Sequence, residues 1–258
     1  MLQKLSRALF FVLLFGSCCL NAEDWDKRVY LASYPRSGNH WLRYLIEEAT
    51  GIATSSVYCD TGTLEYQKSH LPTMFPWGYC PKNGYEGTRR YPAKDDLIVI
   101  KTHYPFFPPQ PLDNKIAIKT ICVLRHPVDS FFAQHLRVPP QGRVTDSTMN
   151  EFLFEWRKFQ EYWQREKNVV HIRYEDLYNS PFETLKEVLQ AIGYKVLDSD
   201  VERAVKRYPP KGGTLKYLQH FKPEDLKIIE HKLAGLMKKY HYKIPRKYKT
   251  KKSTPIKG

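Results

Sequence analysis

The segment from Val29 to Glu47 constrains the fold of this chain more than any other part of the sequence. It begins with an apolar run typical of a buried strand and ends with apolar residues at helical spacing, which are Trp41, Leu42, Leu45 and Ile46. Between the two, residues 34–39 are Tyr-Pro-Arg-Ser-Gly-Asn. Such a turn directs backbone N–H groups and the positive end of a helix dipole at one point, so the segment predicts a site for a phosphate or sulfate group.

An ordinary strand-to-helix connection is the alternative interpretation of residues 34–39, since Pro, Ser, Gly and Asn are common in such loops. The turn does not match G-x-x-x-x-G-K-[ST], the pattern of P-loops that bind nucleoside triphosphates. The sequence therefore disfavours a generic ATPase or kinase, and anion binding stays the first expectation.

The chain has 258 residues, of which 42% are hydrophobic, and this is enough for one α/β domain with a substantial core. Its net charge of +14 is uneven, because nine basic residues and no acidic residue lie between Lys238 and the end. This predicts a basic C-terminal tail at residues 243–258. The tail is either simply solvated or attracted to an anionic membrane or a polyanion.

Residues 1–22 are typical of a targeting segment. Lys4 and Arg7 precede an apolar run from Ala8 to Phe15, and small residues follow. The run is shorter than the roughly 20 residues that a membrane-spanning helix needs. We expect a cleaved signal peptide, with a short membrane anchor as the alternative, and therefore a protein of the secretory pathway that is secreted or membrane-associated.

Two cysteines, Cys59 and Cys80, lie in an irregular, aromatic-rich region at about residues 54–96. A loop this long inside a compact domain usually forms a lid or a binding wall. In an oxidising compartment the two cysteines can form a disulfide, which stays a hypothesis. Cys122 lies in an apolar run and is expected to be a buried thiol.

Apolar strands alternate with amphipathic helices along the rest of the chain. Strands are expected near 97–100, 120–124 and 169–172, and helices near 149–167, 181–192, 199–208 and 223–240. This α/β order predicts a central parallel sheet flanked by helices, and ligands of such sheets bind at the carboxyl ends of the strands. The polar residues expected at those ends are Arg36, Lys101, His103, Arg125 and Tyr174. We therefore expect one active site there.

Three separated motifs resemble those of the sulfotransferases that use 3′-phosphoadenosine-5′-phosphosulfate (PAPS). Residues 34–41, Tyr-Pro-Arg-Ser-Gly-Asn-His-Trp, are similar to the family's 5′-phosphosulfate loop. Residues 100–105, Ile-Lys-Thr-His-Tyr-Pro, are similar to its Lys-Thr-His-Leu-Pro motif, and residues 123–130, Val-Leu-Arg-His-Pro-Val-Asp-Ser, to its 3′-phosphate element. Tyr174 opens a segment similar to the family's Tyr-Glu-Asp-Leu turn. The resemblance implies a P-loop NTPase-like three-layer fold, with a sulfotransferase domain over residues 27–242.

The resemblance implies catalytic roles for three residues. His103 is the candidate general base, and Arg36 stabilises the charge of the leaving bisphosphate. Lys101 holds the sulfuryl oxygens or the leaving group. Since acidic residues serve as the base in related branches with this type of loop, Glu47 and Glu48 are the alternative bases.

The resemblance also assigns residues to the nucleotide. It implies that the 5′-phosphate is bound by Ser37, Gly38, Asn39 and His40. It implies that adenine packs against Trp41 and Tyr174, and that the 3′-phosphate is bound by Arg125. Two positions depart from the family pattern, because Ala133 replaces a Ser and Pro210 replaces the Arg of a late Arg-Lys-Gly loop. The residues that can fill the first gap are Ser130, Gln134 and His135. Those that can still hold the 3′-phosphate in the late loop are Lys211, Gly212 and Gly213.

The implied reaction moves a sulfuryl group from PAPS to a hydroxyl or amine of a glycan, lipid or small molecule. It yields 3′,5′-bisphosphoadenosine (PAP), with no metal requirement and no nucleic acid partner. Two other functions stay open from the residues: a nucleotide phosphotransferase on the same strand–loop–helix plan, and a non-catalytic basic protein that binds polyanions. Because PAPS is made inside cells, a Golgi-type lumen with imported donor reconciles the reaction with the targeting segment.

Overall fold

The structure is a computed structural model that describes residues 27–57, 89–90, 92–93, 95–106, 117–136 and 144–249. The targeting segment, both Cys59 and Cys80, and most of the aromatic region lie outside these residues, as does the tail beyond residue 249. Within the described ranges, no helix combines the length and the apolar composition that crossing a membrane requires.

Five parallel strands form the central sheet of the described residues. They are β1 (Arg28–Ser33), β2 (Ser55–Ser56), β3 (Ile98–Thr102), β4 (Ala117–Leu124) and β5 (Val169–Arg173). The strand order is β2-β3-β1-β4-β5, and every neighbouring pair is parallel. Leu31 of β1 lies in register with Lys101 on one side and Ile121 on the other. The predicted parallel sheet is confirmed, and its central strand leads directly into the predicted anion loop.

Among the described residues, helices follow β1 and β4 and continue after β5. They are α1 (Asn39–Thr50), α2 (Pro127–Phe131), α3 (Asp146–Arg165), α4 (Tyr174–Asn179), α5 (Pro181–Ala191), α6 (Asp198–Arg207), α7 (Pro223–Lys232), α8 (Ala234–Lys239) and α9 (Arg246–Lys249). A π-helical turn, Phe132–Leu136, follows α2, and a 3-10 turn, Leu218–His220, precedes α7. Local signals fix several helix starts: Thr145 caps α3 by accepting the N–H of Thr148 at 3.2 Å, and prolines open α2, α5 and α7.

Each face of the sheet is covered by its own hydrophobic core, which gives the fold three layers. Successive residues of a strand point to opposite faces, so Leu31 and Ala32 enter different cores. Leu31 joins the apolar sides of α1, α5 and α6. Ala32 joins an aromatic core built largely by Phe152, Trp156 and Phe159 of α3, all fully buried. Truncating one of these rings to Ala would cost about 3–5 kcal/mol of stability.

The aromatic core continues into the C-terminal segment. Tyr240, Tyr242 and Ile244 are buried in it, and Tyr248 of α9 packs against its edge. The first residues of the expected basic tail therefore pack on the folded domain as far as α9.

The helix expected over residues 223–240 is two helices in the structure. Leu233 leaves the helical region, with φ −110° and ψ 13°, and its side chain is buried in the aromatic core. The chain then resumes as α8, where the Met237 N–H donates to the Leu233 carbonyl at 2.8 Å. Apolar spacing continues through the break, so periodicity alone does not reveal it.

Candidate active site

The loop between β1 and α1 has a backbone shaped for an anion. Arg36 has φ 61° and Gly38 has φ 102°, so left-handed residues flank Ser37. Such alternation turns successive N–H groups toward one side. Gly38 occupies the N-cap position of α1 without any side-chain cap, which leaves N–H groups of the first turn for a ligand. The Arg36 side chain is exposed beside this loop.

Tyr174, the first residue of α4, packs directly against the loop. A Cβ atom built on Gly38 would lie 2.5 Å from Cδ2 of Tyr174, so only glycine fits under this ring. The Trp41 ring meets the Tyr174 ring edge to face at 5.8 Å, and its Nε1 donates to the Tyr208 carbonyl at 2.9 Å. The two aromatic residues that the resemblance assigned to adenine therefore lie side by side next to the loop.

Arg125, which follows β4, links the two predicted phosphate elements. Its Nη1 donates to the carbonyl oxygen of Arg36 at 2.7 Å, and its guanidinium carbon lies 4.5 Å from the centre of the Tyr174 ring. Its Nη2 lies 3.8 Å from Oδ2 of Asp129, and its buried Nε has no hydrogen-bond partner among the described residues. A guanidinium held on three sides in this way stays oriented toward the loop.

Ser130 is the residue that lies beside the anion loop in place of the missing serine. Its Oγ is 3.4 Å from Oγ of Ser37, and both residues are fully buried. His135, the alternative considered for this gap, instead contacts the Tyr34 hydroxyl at 3.2 Å from its Nε2. Ala133 is itself buried.

His103 lies just after β3, and Ser33 fixes the orientation of its ring. The Nδ1 atom is 2.7 Å from the Ser33 carbonyl oxygen and 3.4 Å from its Oγ. A carbonyl oxygen only accepts hydrogen bonds, so Nδ1 carries the hydrogen and the neutral ring has its lone pair on Nε2. Asn39 supports the arrangement by donating from Nδ2 to Ser33 Oγ at 2.7 Å. A neutral imidazole held in this tautomer can accept a proton at Nε2.

Lys101 and residues 210–217, here called the late loop, complete the predicted set of site residues. Lys101 is buried on β3, two residues before His103. Lys211 is exposed and precedes Gly212, whose φ of 94° is left-handed and whose carbonyl accepts from the Tyr178 hydroxyl at 3.3 Å. His40 is exposed in the first turn of α1. Gly213 follows in the same loop, half-buried.

Asp129 holds this late loop and was not singled out from the sequence. It is fully buried, and its carboxylate accepts the N–H of Leu215 at 2.8 Å and that of Tyr217 at 3.4 Å. Burial raises the pKa of Asp129, while Arg125 and these N–H groups act in the opposite direction. The one signal for it in the sequence is its position four residues after Arg125, which is the spacing of a helical ion pair.

Glu47 and Glu48, the alternative bases, lie at the far end of α1. They are eight and nine residues beyond Asn39, so they lie about 12–14 Å along the helix from the loop at 1.5 Å per residue. Glu47 accepts both the N–H and the hydroxyl of Thr54, at 2.8 and 2.6 Å. Glu48 is buried and pairs with Arg89, Arg203 and Arg207. The structure gives both carboxylates roles in holding elements together.

A second polar cluster lies beside the turn that follows His103. The Tyr34 hydroxyl meets His135 at 3.2 Å and Glu155 Oε2 at 3.4 Å, and the Tyr34 ring packs on Phe106 at 5.0 Å. Burial raises the pKa of Glu155 and lowers the pKa of His135. The sequence pointed to none of these contacts, because the partners of Tyr34 in its two hydrogen bonds are more than a hundred positions away.

The assembled site can bind an anionic group and move a proton. Within the described ranges, no three His, Cys, Asp or Glu side chains are placed to hold a metal ion together. The features that converge are a helix N-terminus, the guanidinium of Arg125 and an imidazole in the tautomer of a base. This combination suits the transfer of an anionic group from a phosphate to an acceptor hydroxyl or amine.

The chain is similar in sequence and in fold to known sulfotransferases. The chain is 22% identical to sulfotransferase 1A1 of Bos taurus over 84% of its own length and 76% of the relative. It is 27% identical to a WSCD family member of Aedes aegypti over 69% of its length, which is 54% of that relative. The fold is similar to that of mouse sulfotransferase SULT7A1 complexed with PAP, with a TM-score of 0.55, 20% identity and 84% of each chain covered.

The model of the sulfotransferase domain family matches residues 26–209, which include the anion loop, His103, Arg125 and Tyr174. That range is well over half of the chain and contains all five strands of the sheet. The chain belongs to the sulfotransferase domain family.

Proposed function

We propose that this protein transfers a sulfuryl group from PAPS to a hydroxyl or amine of an acceptor. The observation that carries the proposal is the bond from Arg125 Nη1 to the Arg36 carbonyl, because it joins the 5′-phosphosulfate loop to the 3′-phosphate element. Membership of the sulfotransferase domain family and similarity to a fold solved with PAP support it.

The two phosphates of PAPS have distinct partners in this proposal. The N–H groups around Ser37 and Gly38 bind the 5′-phosphate at the N-terminus of α1. Arg125 and Ser130 bind the 3′-phosphate, with Lys211 and the glycines at 212 and 213 nearby in the late loop. Trp41 and Tyr174 pack against the adenine.

In the chemical step, Nε2 of His103 takes the proton from the acceptor hydroxyl or amine as that atom attacks the sulfur. The bond between sulfur and the bridging phosphate oxygen breaks, and its electrons leave with PAP. Arg36 and Lys101 stabilise the charge that develops on the leaving phosphate and on the sulfuryl oxygens. Ser33 keeps the base oriented by accepting the hydrogen of Nδ1.

The acceptor is a glycan, a lipid or a small molecule in this proposal. The half-buried side chains of Phe106, His135 and Glu155, linked through the buried Tyr34, give the turn after His103 a surface that is aromatic on one part and polar on another. A ring that carries a hydroxyl matches such a surface better than a fully apolar chain does.

The secretory pathway is the proposed location, with a Golgi-type lumen as the compartment in a eukaryote. The basic and apolar pattern of residues 1–22 supports this, and the basic tail favours contact with an anionic membrane. Fractionation of cells that express the full chain, with protease protection of a C-terminal tag, tests the location. Recovery in the cytosol would contradict it.

Nucleotide selectivity tests the function itself. PAP should raise the melting temperature of the protein more than ADP or AMP at equal concentration, in the absence of Mg²⁺. Transfer of labelled sulfate from PAPS to a panel of phenols, lipids and glycans then identifies the acceptor. Equal shifts with all three nucleotides would favour a phosphotransferase or a general polyanion binder instead.

A further inference from the structure

Asp129 lies at the meeting point of two parts of the chain that are 86 residues apart. The same carboxylate oxygen, Oδ2, accepts the N–H of Leu215 at 2.8 Å and lies 3.8 Å from Nη2 of Arg125. The other oxygen accepts the N–H of Tyr217 at 3.4 Å. One buried side chain therefore contacts both the guanidinium at the proposed 3′-phosphate position and the backbone of the late loop.

The backbone of the late loop has an unusual conformation where Asp129 holds it. Leu215 has φ 56°, which residues with a side chain rarely adopt. Such a conformation persists when the surrounding structure fixes it, and the two N–H bonds to Asp129 supply that restraint. Leu215 also packs against the aromatic core, which anchors the same segment from its other side.

A cation, Lys216, lies between the two residues whose N–H groups Asp129 binds. Nζ of Lys216 is above Gly212, 3.0 Å from the place of a Cβ atom there, and 4.8 Å from the centre of the Tyr217 ring. Lys216 also acts on Asp129 electrostatically. The late loop lacks the Arg of the family pattern, and Lys216 is a cation on the segment that Asp129 holds.

We propose that Asp129 is a positioning residue that fixes the segment 211–217 beside Arg125 and thereby builds the subsite for the 3′-phosphate. The inference rests on the proposed use of PAPS. It assigns the preference for a nucleotide with a 3′-phosphate to a residue that does not itself contact the phosphate.

The test compares the affinities for PAP and for 5′-AMP, which differ by the 3′-phosphate. Asp129→Asn keeps the size of the side chain but removes its charge and places an NH₂ group where an oxygen accepted an N–H. PAP affinity should fall by about 10–100-fold, as expected for loss of hydrogen bonds to a charged group, while 5′-AMP affinity changes by less than about threefold. The matched control is Asp198→Asn, which removes a carboxylate from a surface ion pair with Lys186.

The ratio of the two affinities distinguishes this inference from the proposed function. If the unaltered protein does not prefer PAP to 5′-AMP, the proposed function fails. If it prefers PAP and Asp129→Asn shows the same preference, only the role of Asp129 is overturned. A purely structural role would weaken both nucleotides together and would also overturn it.

Hydrogen exchange of the unaltered protein provides a test that does not depend on the folding of a variant. The amides of Leu215 and Tyr217 should exchange slowly in the free protein. They should gain protection with PAP but not with 5′-AMP, because only PAP engages the subsite that this segment forms. Fast exchange in the free protein, or equal protection by both nucleotides, would overturn the proposal.

Discussion

The guanidinium of Arg125 donates to the backbone carbonyl of Arg36 at 2.7 Å, although 89 residues separate them in the chain. The bond connects the end of β4 to the turn after β1, and these two strands are neighbours in the sheet. Arg125 is thus held by the backbone of the loop whose N–H groups are proposed to bind the 5′-phosphate. This bond therefore links the two proposed phosphate sites directly.

Arg125→Lys should weaken PAP binding by about 10–100-fold, because one ammonium cannot replace a hydrogen bond, an ion pair and a ring contact made at once. Titration calorimetry with PAP measures this. Arg165→Lys, on the exposed end of α3, is the control. Unchanged affinity would show that Arg125 has no role in binding the nucleotide.

Arg36→Ala should lower the rate of sulfuryl transfer by about 10²–10³-fold, because it removes the positive charge that stabilises the leaving bisphosphate in the transition state. Because the side chain is exposed, the free energy of unfolding should change by less than about 0.5 kcal/mol. Steady-state kinetics and chemical denaturation measure the two effects. Full activity in this variant would show that the leaving group is stabilised elsewhere.

His103→Ala should lower kcat by about 10²–10⁴-fold, the usual contribution of a positioned general base, and leave PAP affinity unchanged. The imidazole is held by the Ser33 carbonyl at the end of β1, so we expect its removal to leave the binding of the nucleotide intact. His231→Ala, an exposed residue of α7, is the control. If the acceptor is sulfated at the same rate, His103 has a structural role only.

Gly38→Ala should be far more damaging than Gly51→Ala, although both residues have positive φ angles. The Cβ introduced at position 38 would lie 2.5 Å from Tyr174, whereas a Cβ at position 51 has no atom within 4 Å. We expect Gly51→Ala to cost about 1–3 kcal/mol from backbone strain alone. Gly38→Ala should cost more and also abolish PAP binding, as measured by denaturation and titration. Similar losses in both variants would contradict the close packing of Tyr174 on the loop.

Stability should fall in acid partly because of His126. Burial lowers the pKa of His126 to about 3. In the unfolded chain the pKa is about 6.5, so between these values the unfolded state binds more protons and the free energy of unfolding falls as pH drops, by at most about 1.4 kcal/mol per pH unit.

His126→Asn tests this contribution. Asn keeps an acceptor for the Val128 N–H, which Nδ1 now accepts at 3.3 Å, but it cannot be protonated. The melting temperature of the variant should decline less steeply between pH 7 and pH 5 than that of the unaltered protein. The matched control is His231→Asn, at an exposed position of α7. Identical slopes in all three proteins would refute the role of His126.

The sequence predicted most of what local pattern determines. The strand and helix around the anion loop, the parallel sheet and the helices over 146–165 and 181–191 follow from periodicity and caps that can be read directly. The motifs also identified Arg36, His103 and Arg125 as members of one site, and the structure places them just after the ends of the neighbouring strands β1, β3 and β4.

Contacts between distant parts of the chain were not predictable in this way. Asp129 binds N–H groups 86 and 88 residues away, and neither Leu215 nor Tyr217 carries a pattern that indicates it. His135 was one of three residues, with Ser130 and Gln134, that the sequence offered for the gap at the 3′-phosphate, but in the π-helical turn its Nε2 lies 3.2 Å from the Tyr34 hydroxyl. A helical repeat predicts which residues share a face, and it does not predict which distant segment that face meets.

The strand order determines on which side of the anion loop each proposed site residue lies. The anion loop follows the central strand β1, Arg125 and Tyr174 follow β4 and β5 on one side of it, and the proposed base follows β3 on the other side. The stretch between Val57 and Leu97 joins two strands of that second side, one of them at the edge of the sheet. Because β3 separates that edge strand from β1, we expect substitutions in β2 to disturb the orientation of the proposed base before they reach the residues proposed to bind the donor.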